Sequence, residues 1–510
     1  MESILAAIAR HVRARPGERV YWTPSRTWTY AELGDAVGRI ARGLQELGIA
    51  RGDRVACLTK HTADCVALTL AACRLGAVCM PVNWRLAPPE IEYIVNNGAA
   101  KLMVVDRAFA EPWAQVKAPQ VKLTLVTEDF ASWYRGFAPL GDTPEPDLDD
   151  TALQLYSSGT TGLPKGVELT HRNLAAGMMG AVPDAIGYHG APDVMLNLLP
   201  TYHIAGVGVA LLTATRTGTC VLYPDFDPAK AIAAIAEHRV THSFLVPAMI
   251  QFMLQVPGAG KADYSSLKGI SYGASPISEK VLVEAMRTFR CNFLQVYGLT
   301  ETTGAVTCLR PEDHDPEGPK KHLLRSAGKP IDGVELRVVD PATGRDCAEG
   351  GVGEVWIRTA QNMKGYWGND KATRAAFEGG WFRSGDAGYL REGYVYMHDR
   401  MKDMIISGGE TIYPAEVENV LMQHPAVADG AVIGVPDEQW GEAVKACVTV
   451  KPGAQADAAG IIGFMRERLA HYKCPKSVDF LEAIPRNPTG KILKRVLREP
   501  YWAGRTRRVN

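Results

Sequence analysis

The order of apolar and polar positions reads as an alternation of helix and strand signals over the first 250 residues. Thr29 and Glu32 form a capping box ahead of Leu33, Val37, Ile40, Leu44 and Leu47, a helical apolar stripe that stops at Gly48. Val55 to Leu58 predicts a short buried strand, Ala63 to Leu75 a helix, and Ala77 to Val82 a second strand. Farther on, Val194 to Leu199, Thr219 to Tyr223 and Ser243 to Val246 read as buried strands, with a helix opened by Asp227 between the last two. This rhythm predicts an α/β fold of layers with mainly parallel strands. From about Gly351 the pattern turns Gly-rich and β-prone, as in Gly353 to Arg358 and Gly393 to Met397. After Lys402 a shorter mixed region follows, with a helix near Asp457 to Ala470 and a strand at Ser477 to Leu481. Asp142 to Asp150, rich in Pro and Asp, reads as a surface connection, and no internal repeat interrupts the chain.

A length of 510 residues extends this picture to roughly two to four domains. With 46% hydrophobic and 22% charged residues the chain is globular. Its 56 Lys+Arg balance 56 Asp+Glu, which argues against a protein held by nucleic acid phosphates or an anionic membrane. Arg505, Arg507 and Arg508 read as a short solvated tail. No apolar segment approaches the ~20 residues needed to span a bilayer. The start of the chain lacks the basic region and long apolar stretch of a signal peptide. Ten cysteines lie dispersed between Cys57 and Cys474 with no C-x-x-C pair, which fits a reducing compartment. The expectation is a cytoplasmic protein without a structural metal, and a homodimer is compatible with it.

Candidate chemistry begins after the apolar strand Leu153 to Tyr156. Ser157, Ser158, Gly159, Thr160, Thr161, Gly162, Leu163, Pro164, Lys165 and Gly166 suit a loop whose N–H groups, hydroxyls and ammonium surround an anion. They also suit a flexible surface loop. A Walker A loop is excluded, because Lys165 is followed by Gly166.

This stretch resembles the signature of the adenylate-forming superfamily, which includes acyl-CoA synthetases, coumarate-CoA ligases, luciferases and peptide-synthetase adenylation domains. Further family-like motifs follow in order over about Thr29 to Glu499. Tyr297-Gly298-Leu299-Thr300-Glu301-Thr302-Thr303-Gly304 resembles the second signature. The resemblance implies that Thr300 contacts the α-phosphate of ATP and that Glu301 holds Mg²⁺. Gly273-Ala274-Ser275-Pro276 resembles the adenine-binding segment, with Ala274 where the family has a second glycine and Ser275 in place of its alanine. Asp386 in Trp381 to Asp386 matches the ribose ligand. Arg400 and Lys402 in Asp399 to Asp403 match a nucleotide contact and the hinge between domains.

By the same resemblance Gly408 and Gly409 border a tunnel for the pantetheine arm of coenzyme A, and Trp440-Gly441-Glu442 is similar to the CoA-ligase form of the small domain. Lys491, in Pro485 to Ile492, matches the adenylation lysine. The resemblance implies that His203, in Pro200 to Gly206, lines or gates the acyl pocket, whereas a lone histidine by itself reads as a structural residue. No aspartate lies between Pro200 and Gly208, against an α-amino acid substrate.

The resemblance implies residues 1–400 as an AMP-binding domain of layered α/β subdomains with a β-rich part. It implies residues 401–510 as a small mobile α+β cap. The implied activity is an ATP-dependent acid–CoA ligase using a small-molecule carboxylic acid, ATP, Mg²⁺ and coenzyme A. The small residues Ala205, Gly206, Gly208, Gly298, Gly304 and Ala305 are expected to leave room for a medium or long fatty acid. An aryl acid of cinnamate or benzoate type is the alternative. An acyl-AMP ligase that loads a carrier protein is another, and a nucleotide-binding protein without turnover is the rival from a different class.

Overall fold

The computed structural model describes residues 1–127, 130–157, 163–180, 182–400, 403–408, 410–487 and 490–503. The expected layers form, as a large N-terminal α/β part and a smaller β-rich C-terminal domain. One nine-stranded sheet holds the strands Thr219–Leu222, Val194–Asn197, His242–Leu245, Gly269–Gly273 and Asn292–Leu299 side by side in parallel. Gly304–Leu309 returns antiparallel beside Asn292–Leu299. A seven-stranded sheet sets Ala100–Asp106, Arg54–Leu58, Val78–Pro81 and Thr151–Ser157 parallel, then turns back through Lys165–Thr170. Parallel strands buried on both faces need helices on each side. The helices Tyr30–Glu46, Ala63–Arg74, His171–Met178 and Ile204–Thr215 accordingly share one apolar core with both sheets.

Local signals act where they were read. Thr29 accepts from the Glu32 N–H while the Glu32 carboxylate accepts from the Thr29 N–H, closing the capping box. Asp227 caps the helix Pro228–Glu237, and Asp457 caps Ala458–Arg466. The Gly-rich region becomes an antiparallel sheet of Val334–Val339, Gly353–Thr359, Trp381–Arg391, Phe377–Glu378 and Tyr394–Arg400. The last sheet, built on the long pair Val427–Asp437 and Gly441–Val450, has cores drawn only from residues after 404. Among the described residues, its internal ion pairs include Arg486 with Asp429, Lys494 with Glu418, and Arg498 with Asp403. Among the described residues, no helix is long and apolar enough to cross a membrane.

Among the imidazoles enclosed in the large domain are those of His61 and His314. Burial pushes His61 down to about 3 and His314 to about 4. Among the described residues, neither ring nitrogen of His61 has a hydrogen-bond partner. The unfolded chain would protonate both near 6.5. Stability from these groups is therefore full above that pH and is lost as pH falls, at about 1.4 kcal/mol per unit for each imidazole. Thermal melts between pH 7.5 and 5 should show a falling Tm, with a slope shallower by one such contribution in His61→Leu. Parallel pH profiles for the two proteins would contradict a neutral buried His61.

Candidate active site

Segments distant in sequence meet at one crevice of about 1440 Å³ between the two domains. The first is a hairpin. Ser157, at the end of the strand Thr151–Ser157, pairs in register with Lys165, at the start of the antiparallel strand Lys165–Thr170. Ser157 and Lys165 both line the crevice. Ser158, Gly159, Thr160, Thr161 and Gly162 lie outside the described residues.

Opposite stands Glu301, in a single 3₁₀ turn, Thr300–Thr302, between the strands Asn292–Leu299 and Gly304–Leu309. The turn is tied down on several sides. The Leu299 N–H donates to Thr302 Oγ1 at 2.9 Å, Thr303 Oγ1 donates to the Gln361 carbonyl at 2.6 Å, and the Met363 N–H donates to the Glu301 carbonyl at 2.7 Å. Only 9% of Glu301 is exposed. Its Oε1 accepts from Ser157 Oγ at 3.0 Å and from the Tyr366 hydroxyl at 3.1 Å. The Lys165 ammonium lies 4.8 Å from the centre of the Tyr366 ring. Tyr366 thus ties the hairpin to the carboxylate, and sequence reasoning missed it. It belongs to a two-residue strand, Gly365–Tyr366, too short for any alternation to register.

Asp386 is buried in the crevice wall, where the Tyr297 hydroxyl donates to its Oδ2 at 2.8 Å and its own N–H donates to Ser384 Oγ at 3.0 Å. Its strand partner in register is Arg400. Ala274 and Ser275 line the crevice at the end of the strand Gly269–Gly273. Ala274 takes φ of 68°, a left-handed conformation that explains why glycine suits this position. Gly273 does not line the crevice. A Cβ there would strike the Val296 carbonyl, so its glycine serves strand-to-strand packing.

From the small domain comes Lys491. Its loop is shaped by Asn487, whose N–H donates to the Lys491 carbonyl and whose Oδ1 accepts from the Lys491 N–H, both at 2.8 Å. Arg486 braces the same loop through Asp429 and through the Gly490 carbonyl at 2.7 Å. Gly490, with φ of 78°, sits against the large domain, where an added Cβ would lie 3.2 Å from that of Ala248. Gln251 Nε2 donates to the Ala428 carbonyl beside it at 3.4 Å. Lys491 and Glu301 therefore line the same crevice.

Gly408 and Trp440 do not. They lie at the surface, with the Gly408 N–H donating to the Trp440 carbonyl at 2.8 Å. An added Cβ on Gly408 would stand 2.6 Å from the indole, so a bare backbone is required beneath the ring. Lys402 and Gly409 lie outside the described residues.

The residues expected around an acyl pocket divide between the crevice wall and the loop before it. His203 caps the helix Ile204–Thr215, its Nδ1 accepting from the Ala205 N–H at 3.2 Å. Burial pushes this imidazole down to about 4. It is neutral at pH 7 with Nε2 carrying the proton. His203, Ala205, Gly208, Gly298, Gly304 and Ala305 line the crevice. Gly206 does not: a Cβ there would meet the Pro200 carbonyl, so its smallness serves the fold of the preceding loop. At Gly298 a Cβ would strike the Gly304 carbonyl across the hairpin. Small residues here record close backbone contacts as much as open space.

The sequence profile of the AMP-binding enzyme family matches residues 8–367, and that of the AMP-binding enzyme C-terminal domain matches residues 416–491. The chain belongs to the AMP-binding enzyme family. Among its relatives is a fatty acid–[acyl-carrier-protein] ligase of Streptomyces coeruleorubidus, 38% identical over 100% of this chain and 98% of the relative. A long-chain-fatty-acid–CoA ligase of Mycobacterium tuberculosis is also 38% identical, over 99% of each chain. The crystal structure of ATP-bound MatB from Rhodopseudomonas palustris superposes with a TM-score of 0.90 at 32% identity, covering 98% of this chain and 99% of that one. As an AMP-binding enzyme, the chain is expected to use the crevice between its two domains for a nucleotide.

Proposed function

We propose that this enzyme joins a carboxylic acid to a thiol in two steps through an acyl adenylate, with coenzyme A as the acceptor. The observation that carries this reading is the convergence of Lys491, Glu301, Asp386, Ser157 and Lys165 on one crevice. In the first step a carboxylate oxygen attacks the α-phosphorus of ATP and the bond to pyrophosphate breaks. The hairpin from Ser157 to Lys165 and the ammonium of Lys491 oppose the charge that develops, while Asp386 accepts from the ribose hydroxyls and Ala274 and Ser275 border the adenine. Thr300 donates to the α-phosphate.

The donor set at Glu301 suits Mg²⁺, which takes one or two protein carboxylates alongside phosphate oxygens and water. Two hydroxyl donors on Oε1 fix the carboxylate, and among the described residues Oε2 accepts no hydrogen bond. Bound there, the ion would neutralise phosphate charge.

In the second step the thiol sulfur attacks the acyl carbon. The C–S bond forms, the bond to AMP breaks so that AMP leaves with its phosphate oxygen, and the thiol proton passes to solvent. Gly408 and Trp440 fit a narrow thiol channel but stand outside the crevice that Lys491 occupies. The cap, residues 401–510, therefore turns about Lys402 between steps, exchanging the Lys491 loop for the Gly408 surface, with Arg400 beside the hinge on the nucleotide side. Gly408, Gly409 and Trp440 support coenzyme A over a carrier-protein arm.

A medium or long fatty acid is the favoured substrate, because the crevice wall along the helix Ile204–Thr215 is apolar at Ile204, Ala205, Val209 and Leu212. A panel of aliphatic and aryl acids in a pyrophosphate-release assay, with and without coenzyme A, tests each part. Pyrophosphate release with aliphatic acids, and thioester only when coenzyme A is present, is the expected result. A preference for benzoates or cinnamates would overturn the choice of acid, and transfer only to a carrier protein would overturn the choice of thiol.

A further inference from the structure

The space beside Gly208 and Gly304 in the crevice wall is occupied by one flexible side chain. Met178, the last residue of the helix His171–Met178, is only 7% exposed and borders the crevice. A Cβ built on Gly208 would stand 2.8 Å from its Sδ and 3.2 Å from its Cε, and one on Gly304 would stand 3.9 Å from the same Cε. Gly304 is two positions beyond the turn that carries Glu301, at the reacting end of the crevice. Gly208 is in the middle of the helix Ile204–Thr215. The thioether therefore bridges the reacting end and the middle of the acyl wall.

The crevice continues past it. Ile204, Ala205, Gly208, Val209 and Leu212 line it at spacings of one, three, one and three residues, a single face of that helix. At 1.5 Å per residue this face runs about 12 Å from Ile204 to Leu212, with Gly208 at its midpoint. Val182, Pro183 and Ile186 line the far end. They are held there by Arg216, which follows the helix and donates to Asp184 Oδ1 at 2.7 Å and to the Gly180 carbonyl at 3.2 Å.

We infer that Met178 sets the chain-length preference of this enzyme, dividing a short acyl chamber next to Glu301 from an apolar inner chamber that a longer tail enters only by pushing the thioether aside. Extended chains advance roughly 1.2 Å per bond, from ~3.3–3.6 Å per three-bond residue. Acids of about six to eight carbons end near Gly208, whereas acids of about twelve reach Leu212. Methionine suits such a movable divider because it is unbranched and adapts to irregular gaps. The inference rests on the acid–thiol ligase reading above and narrows its substrate from any fatty acid to medium-length, straight chains, with longer ones conditional on Met178.

The test measures kcat/KM for pyrophosphate release with saturated acids of six to sixteen carbons in the full-length enzyme. Met178→Ala is expected to raise the dodecanoate-to-hexanoate ratio about ten-fold or more. Met178→Leu keeps the volume but is branched, so it should lower that ratio about three-fold. Length profiles that match the parent in both variants overturn the inference, and if Met178→Ala does not fold, an unchanged profile in Met178→Leu overturns it alone. Failure of the parent enzyme to release pyrophosphate with any aliphatic acid is a different outcome, which overturns the ligase reading and this inference with it.

Discussion

Replacing Lys491 with alanine is expected to reduce pyrophosphate release by about 10²–10³-fold, while thioester formation from supplied acyl-AMP survives largely intact. The magnitude is that of removing one preorganised charge-stabilising donor from a sheltered site, about 3–4 kcal/mol. The selectivity follows from where the small domain puts its parts. Lys491 faces the crevice shared with Glu301, and Gly490 seats its loop on Ala248. Gly408 and Trp440 are turned away from the crevice. On the two-step proposal, the first step uses this arrangement and the second uses another in which Lys491 has withdrawn. Lys491 is partly exposed at a domain edge and its loop is shaped by Asn487 and Arg486, so its truncation leaves the loop's own bonds in place. Single-turnover assays of the two half-reactions decide the matter. Equal loss in both would mean that one arrangement serves both steps.

Changing Glu301 to glutamine is expected to lower pyrophosphate release about 10²-fold and to raise the Mg²⁺ concentration needed for half-maximal rate by ten-fold or more. Glutamine retains a side-chain oxygen for the hydroxyls of Ser157 and Tyr366, so the contacts that position the group persist while its charge is lost. Magnesium titrations at fixed ATP, together with Mg²⁺-dependent thermal shifts in the presence of ATP, separate loss of the ion from loss of structure. A rate that drops with no change in magnesium requirement would leave Glu301 as a hydrogen-bond acceptor only.

Much of this molecule is legible where the cause is local. Thr29, Asp227 and Asp457 cap helices because the atoms they satisfy lie within three residues of them. The motif around Glu301 could be read because its constraints, a left-handed Thr303 and Gly304, are written into adjacent positions. Tyr366 could not, since it meets Glu301 from 65 positions away, on a strand of two residues. Asp429 likewise braces the Lys491 loop from 57 positions before Arg486. The small residues of the acyl wall were legible as small but not as empty. Residue type gives a volume, whereas emptiness depends on neighbours: the Pro200 carbonyl at Gly206 and Met178 at Gly208.

The ion pairs of the small domain have a bearing on how it moves. Among the described residues, Arg486–Asp429, Lys494–Glu418 and Arg498–Asp403 are each closed within that domain, whereas its contacts with the large domain include Gly490 against Ala248, one amide bond to a carbonyl, and Tyr413 stacked on His398 with ring centroids 4.2 Å apart. Parting the domains along these contacts leaves the three charge pairs intact. Screening by dissolved salt weakens charges that are separated in solvent, and acts little on pairs carried whole within one domain. The three pairs therefore travel with the small domain as a unit, and salt does not act on its seat through them.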